Sequence, residues 1–580
     1  MSRHCQYFLI VMPSPIQHEC REGIMRNLVP DNVTFSEVGH LPIIKDFAKK
    51  IKLVETLDAM VDSEMELSPG IAILAMVLDT LSGRTPLYRM EEFFQEKDTE
   101  LMLGYDVKPE LFCDYNIGRV LDKIFETGTQ KVFSQIAQNA IGVFDVDVRR
   151  LHYDTTSISV FGDYDFTDPP LKITYGHSKD KRPDLKQFLI SMLCVDRNIP
   201  ILGTTEDGNA SDKTLNNELL GGVSKHMARH GLKPGAFVYV ADSALVTPDN
   251  LEKAKDRNVK FLTRLPATYK ACGRAISEAV FADDWIDIGE LNQTPSTTKR
   301  PAAVYRGFET TVELYGETYR AIVVHSSAHD KRRHKRIDRL LAQKRKDLEA
   351  HCKKINSGPF YCRADAEAAA EKIIKTAAKS YHELTYKIRE VAKYRRGRPA
   401  KGKARTPIGY EYLLDIKIDV DAKAVAPLRL EAGCFVLLTN LSGTQAIEKW
   451  PAITLLELYK NQSGIEQNFG FLKDPVIVNS IFLKKPNRIE VLGLILVIAL
   501  LIWRLMERCM RHYLERTKSE ISGWKNRPTK RPTAFMMTTK FLSILVARSG
   551  TQRQLVRPLK PVQLEFLQAM GVNPEVFVKP

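Results

Sequence analysis

The stretch FDVDVRRLHYDTTSISVFGDYD, residues 144–165, decides how the chain is read. It is rich in β-branched and aromatic residues, partly alternating, which is the pattern of a half-buried strand. Upstream the texture is different. LPIIKDFAKKIKLVETLDAMV (41–61) and SPGIAILAMVLDTLSG (68–83) repeat apolar residues every three or four positions, so a helical N-terminal domain is expected over 1–140. Ser68 followed by Pro69 is an N-cap and N1 pair, and Gly83 is a stop. Downstream, QFLISMLCVD (187–196) and IPILGTTEDG (199–208) read as strands, and SDKTLNNELLGGVSKHMARHG (211–231) reads as a capped helix. GAFVYVADSALV (235–246), PDNLEKAKDRN (248–258) and VKFLTRLP (259–266) continue as strand, short helix and strand. Strands interleaved with helices in this way predict a mixed α/β sheet.

At ~100–200 residues per domain, the 580 residues allow three or four domains, or one large domain with an insertion. The net charge of +15 is unevenly placed. Residues 31–110 hold 16 acids and 8 bases, whereas 330–410 hold 24 bases and 9 acids, the latter an excess equal to that of the whole chain. A basic block of this kind suits a polyanionic partner such as nucleic acid; alternatively it is a solvated helical face. Two helical, basic stretches are expected at about 330–354 and 364–394, followed by a mobile loop, KYRRGRPAKGKAR (393–405). The nine cysteines contain no CxxC pair, which argues against a zinc ribbon and fits a reducing compartment. The most apolar run, VLGLILVIALLIW (491–503), is short of the ~20 residues that span a bilayer, so a buried core helix is expected and no membrane partner.

Three carboxylates stand out. Asp154 follows a strand-like segment, and Asp242 lies where VYVA ends, so both are read as strand-end aspartates; an Asx turn or cap is the plainer role for each. On one sheet they could share a divalent metal, and all-oxygen ligands suit Mg²⁺ or Mn²⁺. A third acid would complete a two-metal site for phosphoryl displacement. Glu466 is the candidate, in TLLELYKNQSGIEQNFGFLK (454–473), read as one helix with Tyr459, Gln462, Glu466 and Lys473 on one face.

Tyr459, Glu466 and Lys473 resemble the Tyr-x2-Arg-x3-Glu-x6-Lys signature of DDE transposases in the insertion-sequence-four superfamily. HYDTTS around Asp154 and YVADSAL around Asp242 are similar to that family's two aspartate motifs, and YGHSKDKRPDLKQ (175–187) resembles a segment of its sixteen-thirty-four subgroup. Gln462 stands where the family has Arg, and Lys460 is a substitute charge nearby. The resemblance implies an α/β fold with an RNase H-like catalytic core (a mixed five-stranded sheet with flanking helices) and a large α+β insertion. The core would occupy 145–266 and 446–515, the insertion 267–445, and a C-terminal region 516–580.

It further implies a transposase that cleaves element ends and joins the 3′-hydroxyls to target DNA, cut-and-paste, with Asp154, Asp242 and Glu466 binding two Mg²⁺ or Mn²⁺ ions. The DNA partners would be terminal inverted repeats and target duplex, met by a homodimer in the bacterial cytoplasm at the nucleoid. Backbone contacts would come from Tyr459, Gln462 and Lys473, and from His177, Lys179, Arg182 and Lys186. Arg395, Arg396 and Arg398 resemble an AT-hook entering the minor groove. The alternatives are a transposase-derived DNA-binding protein with impaired catalysis, and a metal-dependent nuclease without strand transfer.

Overall fold

A computed structural model describes residues 33–83, 85–196, 198–291, 302–377, 380–397, 405–474, 481 and 483–580. The chain divides into two compact units. One comprises the chain up to Tyr239 together with Asn461–Pro580, and the other is Val240–Lys460.

The first unit is built around one helix, Pro486–Thr517. Its middle is apolar all round, so it is stable only when enclosed. Residues from Leu492 to Met506 are all buried. It is long and apolar enough to cross a membrane by length and composition, but 94% of its apolar window is packed inside the unit. Helices Leu41–Lys50, Pro69–Thr80, Asp114–Thr127, Thr129–Phe144 and Pro561–Met570 pack against it. The expected cap of Pro69–Thr80 is present, with Ser68 accepting from Ile71 N–H at 3.2 Å. The C-terminal region, which has little local pattern, closes this unit. Strand β1 (Val33–Glu37) pairs antiparallel with Leu545–Ser549, which pairs in turn with Gln552–Leu555. Arg553, 2% exposed, clamps the junction with bonds of 2.6 Å to both Asp98 and Glu100.

The same unit contains β2 (Arg150–Val160), β3 (Lys186–Val195), β4 (Ile199–Glu206) and all but the last residue of β5 (Val238–Val240), in the order β4-β3-β2-β5. β2 to β3 and β3 to β4 are antiparallel. Asp154 lies opposite Met192, and His152 opposite Cys194. The aspartate therefore sits within β2 and not at a strand end as expected; the β-branched run Thr155–Thr156 carries the ladder on to Val160. Helix Asp212–Ala228 follows β4 and is capped by Ser211, as expected.

In the second unit the strand order is β6-β12-β9-β8-β7, for β6 (Lys260–Arg264), β7 (Ile286–Glu290), β8 (Val304–Leu314), β9 (Glu317–Ser326) and β12 (Cys434–Thr439). β12 is antiparallel to both β6 and β9, with Leu437 opposite Arg264 on one side and Ile322 on the other. The β8–β9 hairpin turns on Tyr315 and Gly316, both at positive φ (52° and 80°), as a two-residue primed turn requires. A separate ribbon, β10 (His382–Lys393) with β11 (Gly409–Val420), packs on helices Ser327–Ile355 and Arg363–Ala377. This corrects the helix expected over 364–394, which ends at Ala377. In HELTYKIREVAK, Leu384, Tyr386 and Ile388 alternate with exposed polar residues, a strand period that the surrounding charge obscured.

YKNQSGIEQNFGFLK is likewise not one helix. Ala452–Lys460 and Ser463–Leu472 are separated at Asn461–Gln462, so the one helix expected over 454–473 is two, and Tyr459 is not on the helix that carries Glu466. Turn-type bonds close the break, from Gly464 N–H to Asn461 O and from Ile465 N–H to Gln462 O, both 3.0 Å. Asn and Ser favour local turns and Gly is a poor helix former. The α/β class expected from the sequence holds in both units.

Two predictions follow from the first unit. Glu507, 3% exposed, accepts from Arg504 at 2.6 Å, from Arg511 at 3.3 Å and from Ala534 N–H at 3.1 Å. Glu507→Ala strands the buried Arg504 guanidinium and should cost about 3–5 kcal/mol in a denaturant titration. Half-buried His226 has its pKa pushed by burial from 6.5 down to about 4, helped by neighbouring His230. The unfolded chain takes up that proton first, so the stability present above pH 6.5 is lost as pH falls toward about 4. His226→Gln should show a smaller drop in Tm than the parent across that window.

Candidate active site

Within the first unit, Asp154 is half-buried, and its Oδ1 accepts from Thr155 N–H at 2.8 Å. The ammonium of Lys179, carried by the loop between β2 and β3, lies 3.6 Å from that oxygen and 3.6 Å from Asp212 Oδ2. It is held there by Thr155, donating to the carbonyl at 2.6 Å and to Oγ1 at 2.8 Å. Thr155 Oγ1 in turn donates to Asp212 Oδ1 at 2.5 Å. One ammonium thus serves two carboxylates. Asp212 was missed in the sequence, because an acid in a helix's first turn is an ordinary partner of the helix dipole.

Helix Ser463–Leu472 is seated on the same sheet by Asn468, which is fully buried. Its amide donates to Cys194 Sγ at 3.3 Å, to Met192 Sδ at 3.6 Å and to Asn198 O at 2.9 Å. Its oxygen accepts from Arg504 Nε at 2.7 Å. Residues directly opposite on paired strands share a face. Met192 and Asp154 are such a pair, so the helix covers the face of the sheet that carries Asp154. Glu466 is in its first turn and exposed. Lys473, at the helix end, pairs with Asp180 at 2.6 Å, one residue beyond Lys179. The first unit therefore brings Asp154, Lys179, Asp212, Glu466 and Lys473 to neighbouring elements.

In the second unit, Asp242 follows β5 and caps the turn Ser243–Leu245, accepting from Ala244 N–H at 3.0 Å. Its carbonyl takes a bond from Thr263 Oγ1 at 2.6 Å. Tyr459 lies 6.4 Å, ring to ring, from Phe435. Lys460 is engaged by Tyr305, with Nζ 2.8 Å from its hydroxyl and 4.0 Å above its ring.

Of the basic loop residues, His177 is exposed. Arg182 pairs with Asp184 at 2.7 Å, and Lys186 pairs with Asp165 at 2.5 Å and donates to Asp163 O. Arg395 and Arg396 are exposed at the tip of the β10–β11 ribbon, and Arg398 lies outside the described residues. The ribbon's body is charge-balanced by Arg389–Asp415 (3.2 Å) and Lys393–Glu411 (2.6 Å).

The carboxylate oxygens of Asp154, Asp242 and Glu466 have the donor chemistry that hard divalent cations take. Among the described residues, no three His, Cys, Asp or Glu side chains are gathered closely enough to hold an ion. At Asp154 the local positive charge is that of Lys179.

Comparison with known families matches residues 33–138 to a domain of unknown function, DUF4277. No curated protein matches the chain. Residues 149–502, more than half of the chain and spanning all three carboxylates, match the transposase DDE domain. The chain belongs to the DDE-domain transposase family.

Proposed function

We propose that this transposase cuts the ends of its element and joins the freed 3′-hydroxyls to target DNA, cut-and-paste, through a site composed of Asp154, Asp242 and Glu466. The observation that carries the reading is the seating of helix Ser463–Leu472 over the face that bears Asp154. That helix carries Glu466, 312 positions downstream of Asp154 (466 − 154). Three antiparallel strands followed by a helix and β5 support an RNase H-like core in the first unit. The signature Tyr459, Gln462, Glu466 and Lys473 supports the insertion-sequence-four superfamily and its sixteen-thirty-four subgroup, with Gln462 in the Arg position.

The three acids would be the ligands of Mg²⁺ or Mn²⁺, and such ions, when bound, would supply activation of an attacking hydroxyl and charge stabilisation of the leaving oxygen. The chain's own residues do the rest. Lys473 presents an ammonium beside the acid helix, able to exchange Asp180 for a backbone phosphate. Lys179 offsets the repulsion between Asp154 and Asp212, and Asp212 and Thr155 would hold it when Asp154 takes another partner. Gln462 supplies a neutral amide where Arg would grip phosphate with two charged bonds, so end positioning leans on the remaining bases. Arg395 and Arg396, beyond the balanced part of the ribbon, serve as minor-groove contacts. Two ends must be cut together, which calls for a homodimer on DNA, and such a substrate puts the enzyme at the bacterial nucleoid.

Asp154→Asn, Asp242→Asn and Glu466→Gln should each reduce Mg²⁺-dependent strand transfer into a plasmid to background while duplex binding persists. Full activity in any one removes that residue from the site. Cleavage without joining in the parent protein would indicate a nuclease, and binding without either would indicate a descendant with catalysis lost. The Arg395→Gln/Arg396→Gln variant should lower the slope of log affinity against log salt by roughly two units, measured by fluorescence anisotropy.

A further inference from the structure

Helix Ser327–Ile355 carries a second pattern beneath its charge. Leu348 and Cys352 are buried and form a small core with Ile373, Ala377 and Ile418, and Leu341, also buried, lies on the same side of the helix. At 100° per residue, the side opposite that core is a single stripe. Arg332, Arg336, Arg339, Lys346 and Lys353 lie along it, and all are exposed. Gln343 and Ala350 fill the two remaining places, so no acid interrupts the row. Between Arg332 and Lys353 the helix rises about 32 Å, close to one turn of B-form DNA at about 34–36 Å.

The helix's described acids flank the stripe. Asp338 pairs with Arg429 at 2.7 Å, Glu349 with Arg345 at 2.9 Å, and Asp347 accepts from Gln343 at 2.9 Å. Among the described residues, none of the five stripe bases forms an ion pair. Arg332, Arg336 and Arg339 follow one another at four and three residues, the spacings at which like charges on a helix repel. A solvated face ordinarily mixes its signs, as the flanks of this helix do. An unmixed row is a cost in the free protein that an external polyanion removes.

We propose that this stripe is a docking surface for the phosphate backbone of duplex DNA, distinct from the three carboxylates. The inference rests on the enzyme's reading as one that acts on DNA, and adds where the duplex is held. A membrane surface is disfavoured, because an interfacial helix needs an apolar face to insert and the apolar side here is buried in the unit. Contacts of this kind neutralise phosphates without reading sequence, so they contribute affinity and salt dependence, not specificity.

The test uses the full chain and a fluorescein-labelled duplex of arbitrary sequence, with anisotropy measured across a series of NaCl concentrations. Arg336→Gln/Arg339→Gln/Lys346→Gln/Lys353→Gln should lower the log–log slope by roughly 0.9 for each base removed, about 3–4 units in all. Arg339→Gln alone should lower it by about one, which keeps the test open if the fourfold variant fails to fold. Arg345→Gln, whose charge is already paired, should change it little. A wild-type slope in both stripe variants overturns the proposal, as does a change in sedimentation with DNA binding unaltered, which would make the stripe a protein contact. Salt-independent binding by the parent protein likewise overturns the proposal, whereas a parent protein that does not bind duplex at all fails the DNA-enzyme reading instead.

Discussion

Asn468 is fully buried, and a buried amide must satisfy both its donors and its acceptor. It does so by reaching three ways at once, to Met192 and Cys194 on β3, to the Asn198 carbonyl and to Arg504 on the central apolar helix. Each of those partners is itself fixed. Arg504 is compensated by Glu507, and Met192 and Cys194 lie in the middle of a three-strand ladder. Hydrophobic packing alone would let a ten-residue helix slide or rotate by a fraction of a turn. The polar contacts admit one register, and the position of Glu466 relative to Asp154 is inherited from it.

The acids around β2 raise a second constraint. Asp154 and Asp212 share one ammonium. Carboxylates left close together without a counter-charge repel each other, and one would take up a proton. Lys179 avoids this at modest expense, because it comes from an exposed loop and its bonds to Thr155 already fix its direction. Other basic groups of this unit are held in the same way, Lys473 by Asp180 and Lys186 by Asp165. On the long helix of the other unit, Arg332, Arg336, Arg339, Lys346 and Lys353 are exposed, as are Arg395 and Arg396 at the ribbon tip.

Much of this was legible in the sequence, where a local rule applied. The switch from helical to alternating texture near residue 145, the capped helices and the strands from β2 to β6 each depend on a dozen neighbouring residues. What was not legible depends on partners far along the chain. Asp154 reads as a strand end because HYD is followed by small polar residues, yet the pairing of Thr155–Val160 with β3 keeps the strand going. The break at Asn461–Gln462 is hidden by good helix formers on either side. The ribbon was obscured by its charges, and Asp212 by its ordinary place in a first turn. For the site itself, Asp154, Glu466 and Lys473 converge on neighbouring elements of one unit, whereas Tyr459 and Asp242 belong to the other.

The pairing of β1 with Leu545–Ser549 joins positions 516 residues apart, as Val33 faces Ser549. A ribosome adding about 5–20 residues per second needs roughly half a minute to nearly two minutes to make that interval. During that time β1 is an unpaired edge, and the Asp98 and Glu100 carboxylates wait for the guanidiniums of Arg548 and Arg553. The first unit is therefore closed only after the second has been synthesised, so the helical half that is made first must wait for a segment made after the whole insertion.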